Sequence, residues 1–246
     1  KNLTNVGALL IETQRLSVNY QQRLALKPLD IQIKSGEIVA LMGRNGAGKS
    51  SLLKALLDVV PFEGKVNRTT KKIGYIPQDA NDLLYLQSVN AECEQTDKDN
   101  ELRPGSTANL LKEIAPNITL QSHPRDLSEG QRLALVLALV LAPKPDLLIL
   151  DEPTRGLDYQ TKSLLVSQLT SRAKDSAAVI IATHDVELVA ELANRIVILA
   201  DGELVADGPA IDVLLSSPAF APQVTKVMSP RRWLTVNDVI KSLDQE

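Results

Sequence analysis

The stretch that most constrains this chain is Gly43-Arg44-Asn45-Gly46-Ala47-Gly48-Lys49-Ser50. It satisfies G-x-x-x-x-G-K-[ST], and its flanks supply the context that pattern needs. The apolar run Glu37-Ile38-Val39-Ala40-Leu41-Met42 before it reads as a buried strand. Ser50 to Val59 after it, with leucines at helical spacing, reads as a helix. Glycines here let backbone N–H groups converge on a polyanion where a Cβ would obstruct, and the following helix aims the positive end of its dipole at the same point. Lys49 is placed to reach the β- and γ-phosphates of a nucleotide and Ser50 to hold Mg²⁺.

The rest of the chain alternates in the same manner. Leu9 to Tyr20 and Pro28 to Ile33 read as strands of a small, partly exposed sheet. Ile73 to Ile76, Leu147 to Leu150, Val179 to Ala182 and Ile196 to Leu199 are short aliphatic runs of the buried-strand type. Helices are expected at Gln160 to Ala173 and Val186 to Ala193. Strands alternating with helices imply a mainly parallel, three-layer α/β architecture. Asp79 to Leu127 breaks this rhythm. It is polar in patches, with Gln95 to Asn100 expected as a solvated loop, and together with the apolar run Leu133 to Ala142 it reads as a helical lobe inserted into the core. That apolar run is too short for a bilayer, which needs about 20 residues, and Pro143 ends it; a buried helix is expected. Ala210 to Leu215 and Val236 to Leu243 read as helices of a C-terminal tail.

Composition narrows the partners. The formal net charge of -3 argues against general nucleic-acid binding. A single cysteine, Cys93, excludes an internal disulfide, gives no support for a cysteine-rich metal site, and fits a reducing cytosol; it reads as a small apolar residue. No secretory pattern opens the sequence.

The strand Leu147-Leu148-Ile149-Leu150 ends in Asp151-Glu152. Asp151 would hold Mg²⁺, directly or through water, and Glu152 can accept a proton from an attacking water. With the phosphate loop upstream, these residues point to Mg²⁺-dependent hydrolysis of a nucleoside triphosphate, without choosing among its many kinds.

Further motifs make the choice by resemblance. Leu127-Ser128-Glu129-Gly130-Gln131 resembles the signature pentapeptide of ATP-binding cassette (ABC) ATPases, usually written LSGGQ, and lies between the two motifs as that family requires. Gln78, in Tyr75-Ile76-Pro77-Gln78, resembles the Q-loop glutamine, Gly156-Leu157-Asp158 the D-loop, and His184 the switch histidine. Tyr20 resembles the aromatic residue that stacks on adenine. The resemblance covers about residues 9 to 208. It implies a P-loop NTPase with a RecA-like core, a small antiparallel β-subdomain and an inserted helical subdomain at about 79–145, followed by a helical tail at 209–246. It implies ATP and Mg²⁺ as cofactors. Asn45, Gly46, Gly48, Lys49, Ser50 and Ser51 would contact the nucleotide from one cassette. Ser128, Gly130, Gln131 and Asp158 would contact it from a second, facing cassette. Ser50, Gln78 and Asp151 would hold the metal, and Glu152, His184, Lys49 and Gln78 would serve catalysis. Taken singly, Gln78 and Asp158 would do as loop residues, Ser128 as a helix N-cap and Tyr20 as packing; His123 carries no motif and reads as surface. Two departures stand out: Glu129 replaces the commoner Gly of the signature, and Leu133 to Ala142 is wholly apolar where the family often carries an Arg.

Pro77 to Tyr85, Phe220 to Val224 and Leu234 to Val239 are similar to segments of energy-coupling-factor (ECF) transporters. That likeness implies an importer of a vitamin or of a transition-metal ion such as cobalt or nickel. The chain would be peripheral at the cytoplasmic face of the cell membrane. Its partners would be a second ATPase domain (identical, different, or fused in tandem), a transmembrane coupling subunit and a membrane substrate-binding subunit, and no nucleic acid. Leu83, Leu84 and Tyr85 lie where that family docks its membrane partner. A first residue Lys1, rather than Met, would suit the second half of a tandem polypeptide. The alternatives are a soluble ABC ATPase of repair, translation or cluster assembly, and a non-hydrolysing regulatory cassette; intact Lys49, Asp151, Glu152 and His184 speak against the latter.

Overall fold

The computed structural model describes residues 7–21, 23–154, 157–216, 220–228 and 233–243. Its larger sheet contains β4 (Ile38–Met42), β6 (Ile73–Ile76), β7 (Leu147–Asp151), β8 (Ala178–Ala182), β9 (Arg195–Ala200) and β10 (Glu203–Pro209), in the order β10-β9-β4-β8-β7-β6. All pairings are parallel except that of β10 with β9. The aliphatic runs are continuous because both faces are covered. Ile38, Ala40, Met42, Leu148, Leu150, Val179 and Ile181 face one way; Val39, Leu41, Leu147, Ile149 and Ile180 face the other. On the first face lie α4 (Glu129–Leu141), α5 (Tyr159–Lys174), α6 (Val186–Leu192) and α7 (Ala210–Ser216). On the second lie α1 (Lys49–Leu56) and an antiparallel sheet of β1 (Leu9–Tyr20), β2 (Arg23–Leu29), β3 (Gln32–Lys34) and β5 (Glu63–Arg68).

Between β6 and β7 the chain forms α2 (Val89–Asp99), α3 (Ser106–Ile114) and α4. The apolar run expected as a buried helix is α4, with Leu133 through Leu139 and Leu141 all buried. Among the described residues no helix is long and apolar enough to cross a membrane. The C-terminal residues carry α7, whose Ala210 and Leu214 belong to the main core, then α8 (Gln223–Met228) and α9 (Val236–Leu243).

Two expectations are corrected. Gln95 to Asn100 is not a solvated loop; all but its last residue belong to α2. Ser88 caps that helix through the Ala91 N–H, and Val89, Glu92, Cys93 and Asp97 turn inward at helical spacing. Half of this buried stripe is acidic, which disguised it. Glu92 accepts from the N–H groups of Tyr85 and Leu86, and Asp97 from those of Gly105 and Thr107 and from the Thr107 hydroxyl. Cys93 between them is buried. Burial first, then the charges of Asp97, Glu92 and Glu94, pushes its thiol up to about 12. Second, Pro28 to Ile33 is not one strand: β2 ends at Leu29 and β3 begins at Gln32. Along its length β1 changes partner from β2 to β3, and Thr13 pins the crossing by accepting the Ile31 N–H on its hydroxyl. Strands β5 and β10 escaped the sequence reading, because each is too polar for a buried run.

Candidate active site

Parallel β4, β7 and β8 end at the same edge of the sheet, where doubly wound folds bind ligands. The phosphate loop leaves β4 there. Gly43 has φ 146, and a Cβ on it would stand 2.3 Å from the Leu199 carbonyl oxygen. Gly48 has φ 105, and its Cβ would meet the Ala25 oxygen at 2.7 Å. No other residue fits the loop at either point. Lys49 opens α1, and its Nζ donates to the Gly43 carbonyl at 2.9 Å.

Glu152 follows β7 directly. Its N–H still pairs with the Ala182 carbonyl of β8 at 2.8 Å, yet its φ is 50, a conformation that costs a non-glycine residue about 1–3 kcal/mol. The twist turns the carboxylate back over the phosphate loop: Oε1 stands 3.7 Å from Lys49 Nζ, and Oε2 lies 2.8 Å from Nδ1 of His184. Oε1 is buried without a hydrogen-bond partner. His184 is brought there by buried Thr183, whose N–H bonds to the Leu41 carbonyl.

A cavity of about 460 Å³ opens over these groups. Asn45, Gly46, Gly48, Lys49, Ser50 and Ser51 line it from the loop and α1; Asp151 and Glu152 line it from the end of β7. Gln78 and half-exposed Tyr20 complete it. Ser50, Gln78 and Asp151 thus converge on one space. Hydroxyl, amide carbonyl and carboxylate oxygens are the donors Mg²⁺ prefers, with phosphate and water filling its other positions. The described residues contain no cluster of three or more His, Cys, Asp or Glu side chains placed for a metal, and Mg²⁺ needs none. The cavity also holds Arg23 and Ala25, which sequence reasoning missed. The available signal was the register of a short hairpin: Arg23 is the cross-strand partner of Tyr20.

Ser128, Gly130, Gln131 and Asp158 do not join that cavity. They line a separate one of about 560 Å³, together with Glu129 and Thr161. Ser128 is the N-cap of α4 in a reciprocal capping box: its hydroxyl accepts the Gln131 N–H, and the Gln131 side chain accepts the Ser128 N–H. The Gln131 N–H is therefore engaged within the cap. A Cβ on Gly130 would stand 2.7 Å from the Thr161 hydroxyl, so this glycine lets α4 approach α5. Asp158 caps α5 through the Thr161 N–H at 2.8 Å, and hydrogen bonding from Thr161 holds its carboxyl below the usual range. Gly156 of the expected D-loop lies outside the described residues, as do Lys1 and the pair Arg231-Arg232, which the sequence alone suggests as a solvated face. His123 is a partly exposed residue outside both cavities, and its Nδ1 accepts the Arg125 N–H. Arg132, directly behind the signature, lines a smaller cavity with Gln78, Glu129 and Glu152, so α4 is aliphatic only beyond its first turn.

A phosphate loop between a buried strand and a helix, with paired carboxylates at the end of β7, two strands away in the same sheet, defines a P-loop nucleoside-triphosphatase domain. Residues 26–155, more than half of the chain, match the family model described as "ABC transporter". The chain is 49% identical over 245 residues to a protein of Streptomyces coelicolor named "Putative ABC transporter ATP-binding protein", covering 94% of this chain and 44% of that one. A relative of the same name from Methanothermobacter marburgensis is 32% identical, covering 77% of this chain and 75% of that one. Among solved structures, cbiO1 from Clostridium perfringens, described as part of the ABC transporter complex cbiONQ, superposes with a TM-score of 0.77. It shares 25% identity over 95% of this chain and 99% of that one. The dimeric bacterial ABC transporter cassette MJ0796 superposes at 0.72, with 25% identity over 82% of this chain and 99% of that one. The chain belongs to the ABC transporter family and is an ATP-binding, ATP-hydrolysing domain of it, with ATP and Mg²⁺ as its cofactors. It spans under half the length of the Streptomyces relative.

Proposed function

We propose that this domain is one of two facing cassettes that drive an ECF-type importer of a vitamin or a transition-metal ion. The observation that carries the pairing is that no residue lines both cavities, which favours the signature acting on a nucleotide other than the one its own chain cradles; of the signature, Glu129 alone shares a smaller cavity with Gln78 and Glu152. A second cassette, set head to tail, would bring Ser128 and the Gly130 N–H to the partner's γ-phosphate. The dimeric form of the similar cassette supports this arrangement. Relatives more than twice as long leave room for both cassettes in one polypeptide.

Within one site the division of labour follows from the side chains. Lys49 neutralises the β- and γ-phosphates. Glu152, with an oxygen buried and unpartnered, accepts the proton of the attacking water, and His184 fixes the orientation of that carboxylate and steadies the γ-phosphate. Held by Ser50, Asp151 and Gln78, Mg²⁺ would spread the charge of the transferring group. Tyr20 offers its ring to adenine.

The transporter reading draws on the likeness to cbiO1, described as part of a transporter complex, and on the ECF-like segments at Pro77 to Tyr85 and Leu234 to Val239. In that reading the chain lies against the cytoplasmic face of a membrane coupling subunit. Leu83 and Leu84 pack on the core, and Tyr85, 74% exposed, is left to meet the partner. Purification from its native membrane tests this. A coupling subunit and a substrate-binding membrane protein should co-purify, and vesicles holding the complex should take up cobalt, nickel or a vitamin only with ATP. A chain recovered without membrane subunits, and hydrolysing ATP equally well alone, would sink the importer.

A further inference from the structure

Strands β1 and β2 meet in a tight hairpin whose register sets Tyr20 opposite Arg23. Directly opposed residues of an antiparallel pair project to the same face, with Cβ atoms about 5 Å apart. Both side chains line the phosphate-loop cavity. Arg23 Nη2 lies 3.6 Å from the point where a Cβ on Gly46 would stand, so the guanidinium hangs over the middle of the loop. Arg23 is exposed, and among the described residues no carboxylate pairs with it. Lys27, Lys162 and Arg195, by contrast, are held by Glu203, Asp185 and Asp207.

Charge balance gives this placement a use. Lys49 is the cavity's other cation, and it faces two carboxylates, Asp151 and Glu152. Counting side chains alone, before Mg²⁺ adds its charge, the lining without Arg23 would be negative. With it, cations and carboxylates are equal in number. The two cations also stand at different points, Lys49 bonded to the Gly43 carbonyl and Arg23 beside Gly46, across the hairpin from Tyr20.

We propose that Arg23 is a nucleotide-contacting residue, closing on the α- and β-phosphates of ATP from the side opposite the loop's N–H groups. The hairpin then delivers a ring for the base and a fork for the phosphates on one rigid element. A guanidinium suits the task because it can bond two phosphate oxygens at once. Because it stands toward the base, its contribution is shared by ATP and ADP. The inference rests on the cavity being the nucleotide site and adds to it a residue outside the family motifs.

Equilibrium titration of the full chain with ATP, ADP and adenosine, each with Mg²⁺, tests this. Arg23→Ala and Arg23→Gln should raise Kd for ATP and ADP alike by about tenfold, the scale of one charged hydrogen-bonding group. Arg23→Lys should recover part of the loss, and adenosine binding should not change. The unliganded Tm of Arg23→Ala should equal that of the wild type, since no partner is lost, while the rise in Tm produced by ATP shrinks. Unchanged Kd for both nucleotides would overturn the contact. A loss confined to ATP would overturn its placement, and an equal loss for adenosine would make Arg23 a base or ribose contact instead. A wild-type chain that binds no nucleotide would overturn the site itself, and is distinguishable because then no variant differs from it.

Discussion

The two cavities of this molecule are built on opposite principles. The phosphate-loop cavity is a place of crowded charge: Lys49 and Asp151 are buried, Glu152 is strained into position, and one of its oxygens lacks a hydrogen bond, with Lys49 3.7 Å away. The signature cavity is a place of local satisfaction. Ser128 and Gln131 bond each other's backbone, and Asp158 bonds Thr161. The first is unfinished as a structure and complete as chemistry, ready for a polyanion to supply the missing contacts. The second is finished as a structure and has no cation lining it, so its value lies in presenting a rigid helix end to something outside the chain. This difference is what a site divided between two cassettes requires of each half.

The comparison breaks most readily at Glu152. Glu152→Gln keeps size and shape, so ATP should still bind while hydrolysis falls by about 10³-fold, within the range a positioned general base supplies. Single-turnover hydrolysis beside an ATP titration checks it, and normal turnover would remove Glu152 as the base. Lys49→Ala acts on binding instead, raising Kd for ATP by roughly ten- to a hundredfold, the scale of a charged hydrogen bond to phosphate. On the other side, Ser128→Ala should leave ATP affinity nearly unchanged and lower the assembled pair's turnover, with a loss of about 1 kcal/mol in stability as the cap disappears. If Ser128→Ala weakened ATP binding to a single chain as strongly as Lys49→Ala, the two cavities would not be separate in function.

How far the sequence disclosed this depends on which cavity is asked. Lys49, Ser50, Asp151 and Glu152 were legible because their chemistry demands fixed spacings on a strand, a loop and a helix. The central strands were legible because burial on both faces leaves unbroken aliphatic runs. Arg23 was not, since only the Tyr20–Arg23 register turns it toward the loop. The inward face of α2 was hidden for a different reason: Glu92 and Asp97 are buried acids satisfied by backbone N–H groups of distant loops, and no local pattern announces such partners. The reciprocal bonds between Ser128 and Gln131 were available in principle from their i, i+3 spacing. The signature's resemblance drew the reading toward an external anion instead.

The smallest effect concerns the join between the two cavities. Helix α5 begins at the signature cavity with Asp158 and, one turn on, sends Lys162 to Asp185 at 2.6 Å; Asp185 is the neighbour of His184. Burial alone would raise the pKa of Asp185. Hydrogen bonds from Lys162 and the Leu188 N–H, with the Lys162 charge, outweigh it and hold the carboxyl below its ordinary value. A depressed folded-state pKa contributes stability above the unfolded pKa, and that stability is lost as pH falls through the folded one. Lys162→Met should therefore cost at most about 1 kcal/mol at pH 7, because the lysine head is partly exposed and screened. That corresponds to a fall in Tm of roughly 2–4 °C, and the gap from the wild type should close below about pH 4. Urea unfolding of both proteins at neutral and acid pH measures it. A difference that persists undiminished in acid would assign the loss to packing of the lysine stem, and α5 would then join the cavities by contact alone rather than by charge.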